Sequence, residues 1–143
     1  MEKKIVLGSD HAGYKYRQKL ISYLKKKKYD VIDVGCDSEE SCDYPDFAKK
    51  VCSQVKKNKC HGVLICGTGI GISIAANKVK GIRCGIAYSD EVASLMRQHN
   101  DANIIAFGER QMNFEDVKRR LDIFLKSGFE GGKHLRRVKK LEK

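Results

Sequence analysis

A cysteine followed by three alternate glycines is the strongest chemical signal in this chain. The apolar run before Cys66 predicts a short buried strand, and residues 70–79 predict a helix, so the glycines form a strand-to-helix turn. Backbone amides at such a helix start attract anions and favour a thiolate. We therefore expect a reactive sulfur that faces an anion. The segment reads Val63-Leu64-Ile65-Cys66-Gly67-Thr68-Gly69-Ile70-Gly71-Ile72-Ser73.

This glycine turn does not match the common nucleotide-binding loops. No Lys-Ser or Lys-Thr pair follows the glycines, as a P-loop requires. The dinucleotide pattern needs its third glycine three residues after the second, whereas Gly71 follows Gly69 by two, and Asp90 matches the expected acidic residue only loosely. The turn thus predicts an anion site without nucleotide hydrolysis. A tight turn beside a buried, inert cysteine is the alternative.

Three further polar groups adjoin predicted strands. Asp10 and His11 follow the first strand, and both side chains can transfer protons, although Asp10 could simply cap the next helix. His99 and Asn100 belong to a polar run before the fifth strand, which could also be an ordinary helix end. Arg110 follows the fifth strand directly, after Glu109. Because ligands of parallel sheets bind beyond the carboxyl strand ends, we expect these groups to join Cys66 there.

Hydrophobic periodicity predicts that strands and helices alternate along the chain, which is typical of a parallel sheet with helices on both faces. We therefore predict an α/β protein, a three-layer α/β/α single domain over residues 1–143 with a five-stranded parallel Rossmann-like sheet and a C-terminal helical tail. The order of the strands stays open. The predicted strands are 5–7, 31–34, 63–66, 84–87 and 104–107, and the predicted helices are 13–27, 45–58, 70–79, 90–98 and 114–126.

Composition narrows the class of protein further. The chain has 143 residues, is 41% hydrophobic and carries a net charge of +11, a charge that would suit nucleic-acid binding. The basic clusters lack interleaved aromatic residues, so we interpret the internal ones, 25–28 and 56–59, as solvated helix ends. No apolar run is long enough for a membrane span, and the first residues enter a strand directly, which predicts a cytoplasmic protein. Six cysteines without CxxC spacing indicate reduced thiols and no structural zinc.

Several motifs in a fixed order resemble the type B ribose-5-phosphate isomerase family, which also contains galactose-6-phosphate and allose-6-phosphate isomerases. The resemblance covers nearly the whole chain. The matching segments are Gly8-Ser9-Asp10-His11-Ala12-Gly13, Asp43-Tyr44-Pro45-Asp46, the stretch from Ile65 to Lys78, Gly81-Ile82-Arg83, Arg97-Gln98-His99-Asn100-Asp101 and Gly131-Gly132-Lys133-His134.

The resemblance implies an aldose–ketose isomerase that interconverts D-ribose 5-phosphate and D-ribulose 5-phosphate through an enediol, in the non-oxidative branch of the pentose phosphate pathway. It implies that Cys66 moves the carbon-bound proton, that Thr68 relays a proton between the oxygens, and that His99 with Asp10 opens the sugar ring. The loop amides would hold the enediolate oxygen. The implied substrate-binding residues are Asp10, His11, Tyr44, Gly67, Thr68, Gly69, Ile70, Gly71, Asn100, Arg110, Lys133 and Arg137.

The resemblance also implies that the basic tail binds the substrate phosphate. His11, Arg110, Lys133 and Arg137 would surround it, with the tail contributed by a second subunit of a homodimer or a dimer of dimers. The family usually has arginine where Lys133 stands, and lysine keeps the charge but loses the planar fork. We expect no cofactor, no metal, no membrane and no nucleic acid. Two alternatives remain: an allose- or galactose-6-phosphate isomerase, and a nucleotide- or nucleic-acid-binding module, which would bind DNA or RNA with strong salt dependence.

Overall fold

The computed structural model describes residues 3–142 as five strands and six helices that alternate along most of the chain. A 3₁₀ turn, His11–Gly13, precedes the first helix. The strands are β1 Lys3–Ser9, β2 Tyr29–Asp33, β3 His61–Cys66, β4 Cys84–Ile86 and β5 Ile104–Gly108. The helices are α1 Tyr14–Lys26, α2 Tyr44–Asn58, α3 Ile70–Asn77, α4 Asp90–Gln98, α5 Phe114–Lys126 and α6 Lys133–Leu141.

The strands form one parallel sheet in the order β2-β1-β3-β5-β4. This confirms the predicted five-stranded parallel sheet and supplies the order that the sequence left open. β3 lies at the centre, where Gly62 pairs with Ile104 and Cys66 pairs with Gly108. The carboxyl ends of β1, β3 and β5 therefore meet at one edge of the sheet, which we call the carboxyl edge, and their first residues define the amino edge.

Two separate apolar cores confirm the three-layer arrangement. On one face, Leu20, Phe124 and their neighbours on α1, α4 and α5 pack against alternate residues of the strands. On the other face, Val51 and Ile72 represent the contacts of α2 and α3. Consecutive strand residues such as Val6 and Leu7 point to opposite cores, and both are fully buried. The middle residues of β1, β3 and β5 are apolar because neither face of the sheet meets water there.

The bounds of several elements differ from the predictions by a few residues. β2 begins at Tyr29, two residues before the predicted start, because its pairing with β1 extends to Lys3. α3 ends at Asn77 rather than at residue 79, since the Asn77 side chain turns away to exchange two hydrogen bonds with the backbone of Cys84. Helix α5 has the predicted bounds, and the tail is helical as expected.

The lysine clusters lie mainly at helix ends, as the sequence indicated. Lys25 and Lys26 close α1, while Lys56 and Lys57 close α2, where cations interact favourably with the helix dipole. Within residues 3–142, no helix combines the length and apolarity that a membrane crossing requires.

Candidate active site

Cys66 is the last residue of the central strand and lies at the carboxyl edge. Its side chain belongs to the core under α2 and α3 and is 5% exposed. The backbone amide of Gly69 donates a hydrogen bond to Cys66 Sγ at 3.2 Å. This N–H and the start of α3 both place positive potential at the sulfur, which favours negative charge there. The arrangement differs from that of an inert core cysteine.

The glycine turn after Cys66 needs its glycines for conformation and for close packing. Gly69 has a φ of +83°, and a Cβ there would lie 3.0 Å from the backbone of Phe107. Gly108 faces the same turn, where a Cβ would approach the Thr68 carbonyl to 2.4 Å. Thr68 Oγ1 accepts a hydrogen bond from the Ile70 amide at 3.1 Å. Two amide donors of the loop are thus used internally, so an oxyanion would be held by the remaining amides.

The loop after β1 brings Asp10 and His11 to the same edge. The Asp10 amide donates to the carbonyl of Ile65, beside Cys66. Asp10 Oδ1 accepts hydrogen bonds from the amides of Ala12 and Gly13, at 3.0 and 3.2 Å, so this carboxylate does cap the following turn. The Asp10 side chain is only 5% exposed, and this cap fixes its orientation.

His11 is held by the loop that follows β2. The backbone amide of Cys42 donates to His11 Nδ1 at 3.2 Å. Because Nδ1 accepts this bond, the neutral imidazole carries its proton on Nε2, which makes that nitrogen a donor. His11 therefore offers an N–H at the carboxyl edge, as an anion-binding residue requires.

Arg110 completes the polar groups that one chain gathers around Cys66. The Arg110 amide donates to the carbonyl of Gly67, and the guanidinium lies against Gly67, with Nη1 3.3 Å from where a Cβ would stand. Glu109, in contrast, accepts a hydrogen bond from the Tyr16 amide at 2.8 Å and so serves the start of α1. Tyr44 packs its ring over Gly71 and is 39% exposed.

A buried arginine beneath this edge was not predicted from the sequence. Arg17 is 1% exposed and donates to Ser9 Oγ and to the carbonyl of Cys36, while its Nε lies 3.1 Å from Asp33 Oδ1. These contacts tie the end of β1 to the loop after β2, the two segments that carry His11 and its partner Cys42. The only sequence signal was the placement of Arg17 on the apolar side of α1.

His99 and Asn100 lie at the amino edge, and the prediction that they join Cys66 at the carboxyl edge is wrong for a single chain. The segment containing them ends α4 and leads into β5, and the Asn103 carbonyl accepts from the Gly62 amide near the first residue of β3. Because β5 is five residues long, about 15 Å separate this segment from Cys66. His99 and Asn100 precede β5, and a residue that precedes a parallel strand lies at the amino end of that strand.

The basic tail lies near His99 as well. Arg83 Nη1, at the amino edge, forms an ion pair with Glu142 at 3.1 Å, and Val138 is the buried residue of α6. The start of α6 places His134 against His99. One chain therefore holds Lys133 and Arg137 on the same helix as His134, away from His11 and Arg110.

Glu130 and His134 form a polar cluster with His99 that was not predicted from the sequence. Potential ligand atoms of these three residues lie within 4.8 Å of one another. The cluster had no recognisable sequence spacing, because His99 is far along the chain from the other two and only the packing of α6 brings them together.

A cavity of about 500 Å³ adjoins the glycine turn at the carboxyl edge. Its wall includes Thr68 and Ile70 from the turn and Tyr88 from the segment after β4. Tyr88 is 71% exposed and Ile70 is 54% exposed. Two large apolar side chains thus face outward beside the candidate site. Such exposed apolar surface is typical of a binding or subunit interface.

Known proteins resemble this chain over nearly its whole length. The sequence model of a family described as Ribose/Galactose Isomerase matches residues 5–141. The chain is 44% identical over 137 residues to the ribose-5-phosphate isomerase B of Escherichia coli (strain K12), covering 95% of this chain and 92% of that protein.

Solved structures show the same likeness in three dimensions. The ribose-5-phosphate isomerase B of Clostridium thermocellum superposes with a TM-score of 0.95 at 48% identity, covering 97% of this chain and 95% of the other. The ribose-5-phosphate isomerase B of Mycoplasma genitalium, solved with bound ribulose-5-phosphate, superposes with a TM-score of 0.94 at 41% identity, covering 99% and 95% of the two chains.

Proposed function

Because the chain belongs to the ribose/galactose isomerase family, we propose that it interconverts D-ribose 5-phosphate and D-ribulose 5-phosphate through an enediol. The observation that carries this proposal is the position of Cys66. Its sulfur accepts the Gly69 N–H at the same sheet edge to which β1 and β5 bring Asp10, His11 and Arg110. The names of the relatives in Escherichia coli and Mycoplasma genitalium support the same substrate pair.

In this reaction Cys66 is the base. Its thiolate removes the proton from carbon 2 of the open-chain aldose and returns it to carbon 1, which shifts the carbonyl group to carbon 2. The negative charge that develops on the sugar oxygen is stabilised by loop amides not already bound to Cys66 or Thr68. Thr68 Oγ1 lies in the same turn and relays a proton between the two oxygens.

The phosphate occupies a cationic site built from both ends of the chain. His11 Nε2–H and the Arg110 guanidinium supply the donors at the carboxyl edge. Lys133 and Arg137 lie on α6, near the amino edge of their own chain, so we assign them to the phosphate of a neighbouring subunit's site. Arginine contributes a bidentate donor and lysine a point charge.

Because the amino-edge and carboxyl-edge groups of one chain lie far apart, we propose a homodimer, or a dimer of dimers, in which two subunits share each site. Within one chain, His99 and Asn100 lie about 15 Å from Cys66. This distance is too large for Cys66 and His99 to act on the same sugar molecule. A second copy that places its amino edge against the carboxyl edge of the first supplies His99 for ring opening, with Asp10 assisting, and Asn100 for a hydroxyl group. The exposed Ile70, Ile74 and Tyr88 give such a copy an apolar surface to cover.

A substrate panel tests this function. Turnover of D-ribose 5-phosphate, D-allose 6-phosphate and D-galactose 6-phosphate is measured with the purified protein and with Cys66→Ala as the background control. We expect the highest kcat/KM for D-ribose 5-phosphate. A preference for either hexose phosphate would transfer the assignment to that isomerase. Absence of turnover with all three substrates would overturn the isomerase function.

The same preparation tests the remaining alternatives. We propose a cytoplasmic enzyme that needs neither metal nor cofactor, so turnover persists after exhaustive dialysis against a chelator. The unpaired state of all six cysteines supports a reducing compartment. Salt-dependent binding of DNA or RNA by a protein that does not isomerise sugar phosphates would instead favour the nucleic-acid-binding alternative.

A further inference from the structure

Two imidazole rings and one carboxylate form a compact cluster at the end of α4. The rings of His99 and His134 are stacked, with centroids 4.2 Å apart and planes inclined by 9°. Glu130 Oε1 lies 3.8 Å from His99 Nε2 and 3.6 Å from His134 Nε2. One carboxylate oxygen thus faces the same nitrogen of both rings.

The backbone holds this cluster in place. The Glu130 amide donates to the carbonyl of Gln98 at 3.0 Å, which attaches the segment before α6 to the last residue of α4. The His134 amide donates to the carbonyl of Gly131 and begins the helix. The His134 side chain is 13% exposed, whereas that of His99 is 40% exposed. His134 is therefore the supporting ring, and His99 presents the accessible one.

The two rings also differ in their electrostatic surroundings. Burial, followed by the neighbouring His99, lowers the pKa of His134, and the positive charges of Lys133 and Arg137 act in the same direction against the opposing effect of Glu130. His134 is consequently neutral at neutral pH and offers a flat, uncharged face.

The cluster is better explained as a support for the His99 ring than as a metal site. The ligand atoms are close enough for one ion. The lone pairs of stacked imidazoles, however, lie in two separate, nearly parallel ring planes, and one ion cannot lie in both planes. A tetrahedral zinc site would require the rings to turn toward a common point.

We propose that His134 and Glu130 are positioning residues that fix the orientation of the His99 imidazole for ring opening in a neighbouring subunit's site. This inference rests on the proposed isomerase function. His134 limits rotation of the His99 ring by stacking, and Glu130 orients its Nε2 by electrostatic attraction. Misplacement of an acid–base group by about 1 Å can reduce a rate about 100-fold.

The test is a double-mutant cycle between His134 and His99. We expect His134→Ala to lower kcat for D-ribose 5-phosphate about 10-fold to 100-fold, with KM nearly unchanged, because phosphate contacts remain. His134→Phe preserves a flat ring and should recover most of that loss. In a His99→Asn background, His134→Ala should have almost no further effect on kcat. Lys140→Ala, an exposed change on the same helix, is the matched control and should leave kcat unchanged.

Two results would overturn the inference. Equal losses of kcat from His134→Ala in both backgrounds would mean that His134 acts without His99. An unchanged kcat in the His134→Ala variant would mean that the stack has no positioning role.

A second measurement does not depend on turnover. The chain has four histidines, so the imidazole C–H signals of His99 can be assigned by NMR from single substitutions. His134→Ala should shift these signals and Lys140→Ala should not, since only the former removes the stacked ring. Unchanged His99 signals would contradict the stack. Failure on the substrate panel with a clear NMR effect would reject the isomerase function alone.

Discussion

Cys66 shares one core with other cysteines, and its hydrogen bond distinguishes it from them. Cys52, on α2, and Cys84, the first residue of β4, belong to the same core as Cys66. Burial raises the pKa of the Cys52 thiol to about 11 and also raises the pKa of Cys84, so both remain protonated at neutral pH. Of these three residues, only Cys66 stands at the carboxyl end of a strand, where the Gly69 N–H reaches its sulfur. Its position beside the glycine turn therefore distinguishes Cys66 from the other two cysteines of this core.

Substitution of this sulfur tests its role directly. Cys66→Ala should lower kcat at least about 1,000-fold, because the base for carbon 2 is lost, while ribulose 5-phosphate binding measured by calorimetry stays within a few-fold. Cys52→Ala, a change in the same core, is the control: it should reduce the melting temperature but retain most of the turnover. Undiminished turnover of Cys66→Ala would refute the assignment of the base.

Lys133 stands where the family that the sequence resembles usually has arginine. Lys133→Arg restores the planar fork on an exposed helix end, so we expect an equal or lower KM for the phosphorylated substrate and unchanged kcat. Steady-state kinetics at constant ionic strength measure both. A large rise in KM would indicate that the site is specifically adapted to lysine.

His61 provides a pH-dependent prediction away from the site. Burial, reinforced by the charge of Arg97, lowers the pKa of His61 from its ordinary value of 6.5. Below pH 6.5, the unfolded chain therefore binds more protons at His61 than the folded chain does. The stability present above pH 6.5 is lost as the pH falls through the pKa of the folded state. Between pH 7 and pH 5, the melting temperature of wild type should fall more than that of His61→Gln. Parallel melting curves for the two proteins would contradict this.

At the scale of elements, the site depends on the close approach of two segments. The glycine turn before α3 packs directly on the end of β5, where Gly108 leaves room for the Thr68 carbonyl. The loop after β1 is pressed equally closely, since a Cβ on Gly13 would lie 2.4 Å from the carbonyl of Ile65. Backbone packed against backbone cannot yield as a flexible side chain can, so these contacts set the position of Cys66 rigidly.

Gly69 and Gly131 have similar backbone conformations but different surroundings. Comparing their alanine substitutions therefore distinguishes the effect of backbone conformation from the effect of packing. Gly69→Ala should destabilise the protein more than Gly131→Ala, by about 1 to 3 kcal/mol in the free energy of unfolding. Both have positive φ, +83° and +72°, but only a Cβ at Gly69 meets backbone, whereas Gly131 has open space. Chemical denaturation measures the difference. Equal destabilisation would show that the conformation alone requires these glycines.

At the scale of the whole molecule, the functional groups fall into two sets at opposite ends of the sheet. Cys66, Asp10 and Arg110 lie at the carboxyl edge, and His99 with α6 lies at the amino edge. One copy of the chain is therefore incomplete for the reaction proposed. A closed symmetric dimer would unite the sets twice.

Complementation between two inactive variants tests this sharing. A one-to-one mixture of Cys66→Ala and His99→Asn, refolded or expressed together, should recover about one quarter of wild-type activity, because half of the dimers are mixed and each mixed dimer has one intact site. Cys66→Ala mixed with Arg110→Ala is the control and should stay inactive, since both changes affect the same edge. No recovery in the first mixture would exclude shared sites.

The sequence by itself determined the α/β architecture, the three layers and the residues of the carboxyl edge. These features depend on local information: alternation of apolar segments, glycines between β3 and α3, and polar residues directly after β1 and β5. Asp10, His11, Cys66, Thr68 and Arg110 could be assigned to one edge because a residue that follows a parallel strand must lie there.

Tertiary structure alone decided the strand order, the separation of His99 from Cys66, and the contact of His99 with Glu130 and His134. Strand order depends on which strands pair, and the stack depends on how α6 packs; neither leaves a periodic pattern in the sequence. The partners of Arg17 and His11 also come from distant segments. Contacts between residues far apart in the chain depend on how whole elements pack, so Cys66 was evident from the sequence, whereas the surroundings of His99 were not.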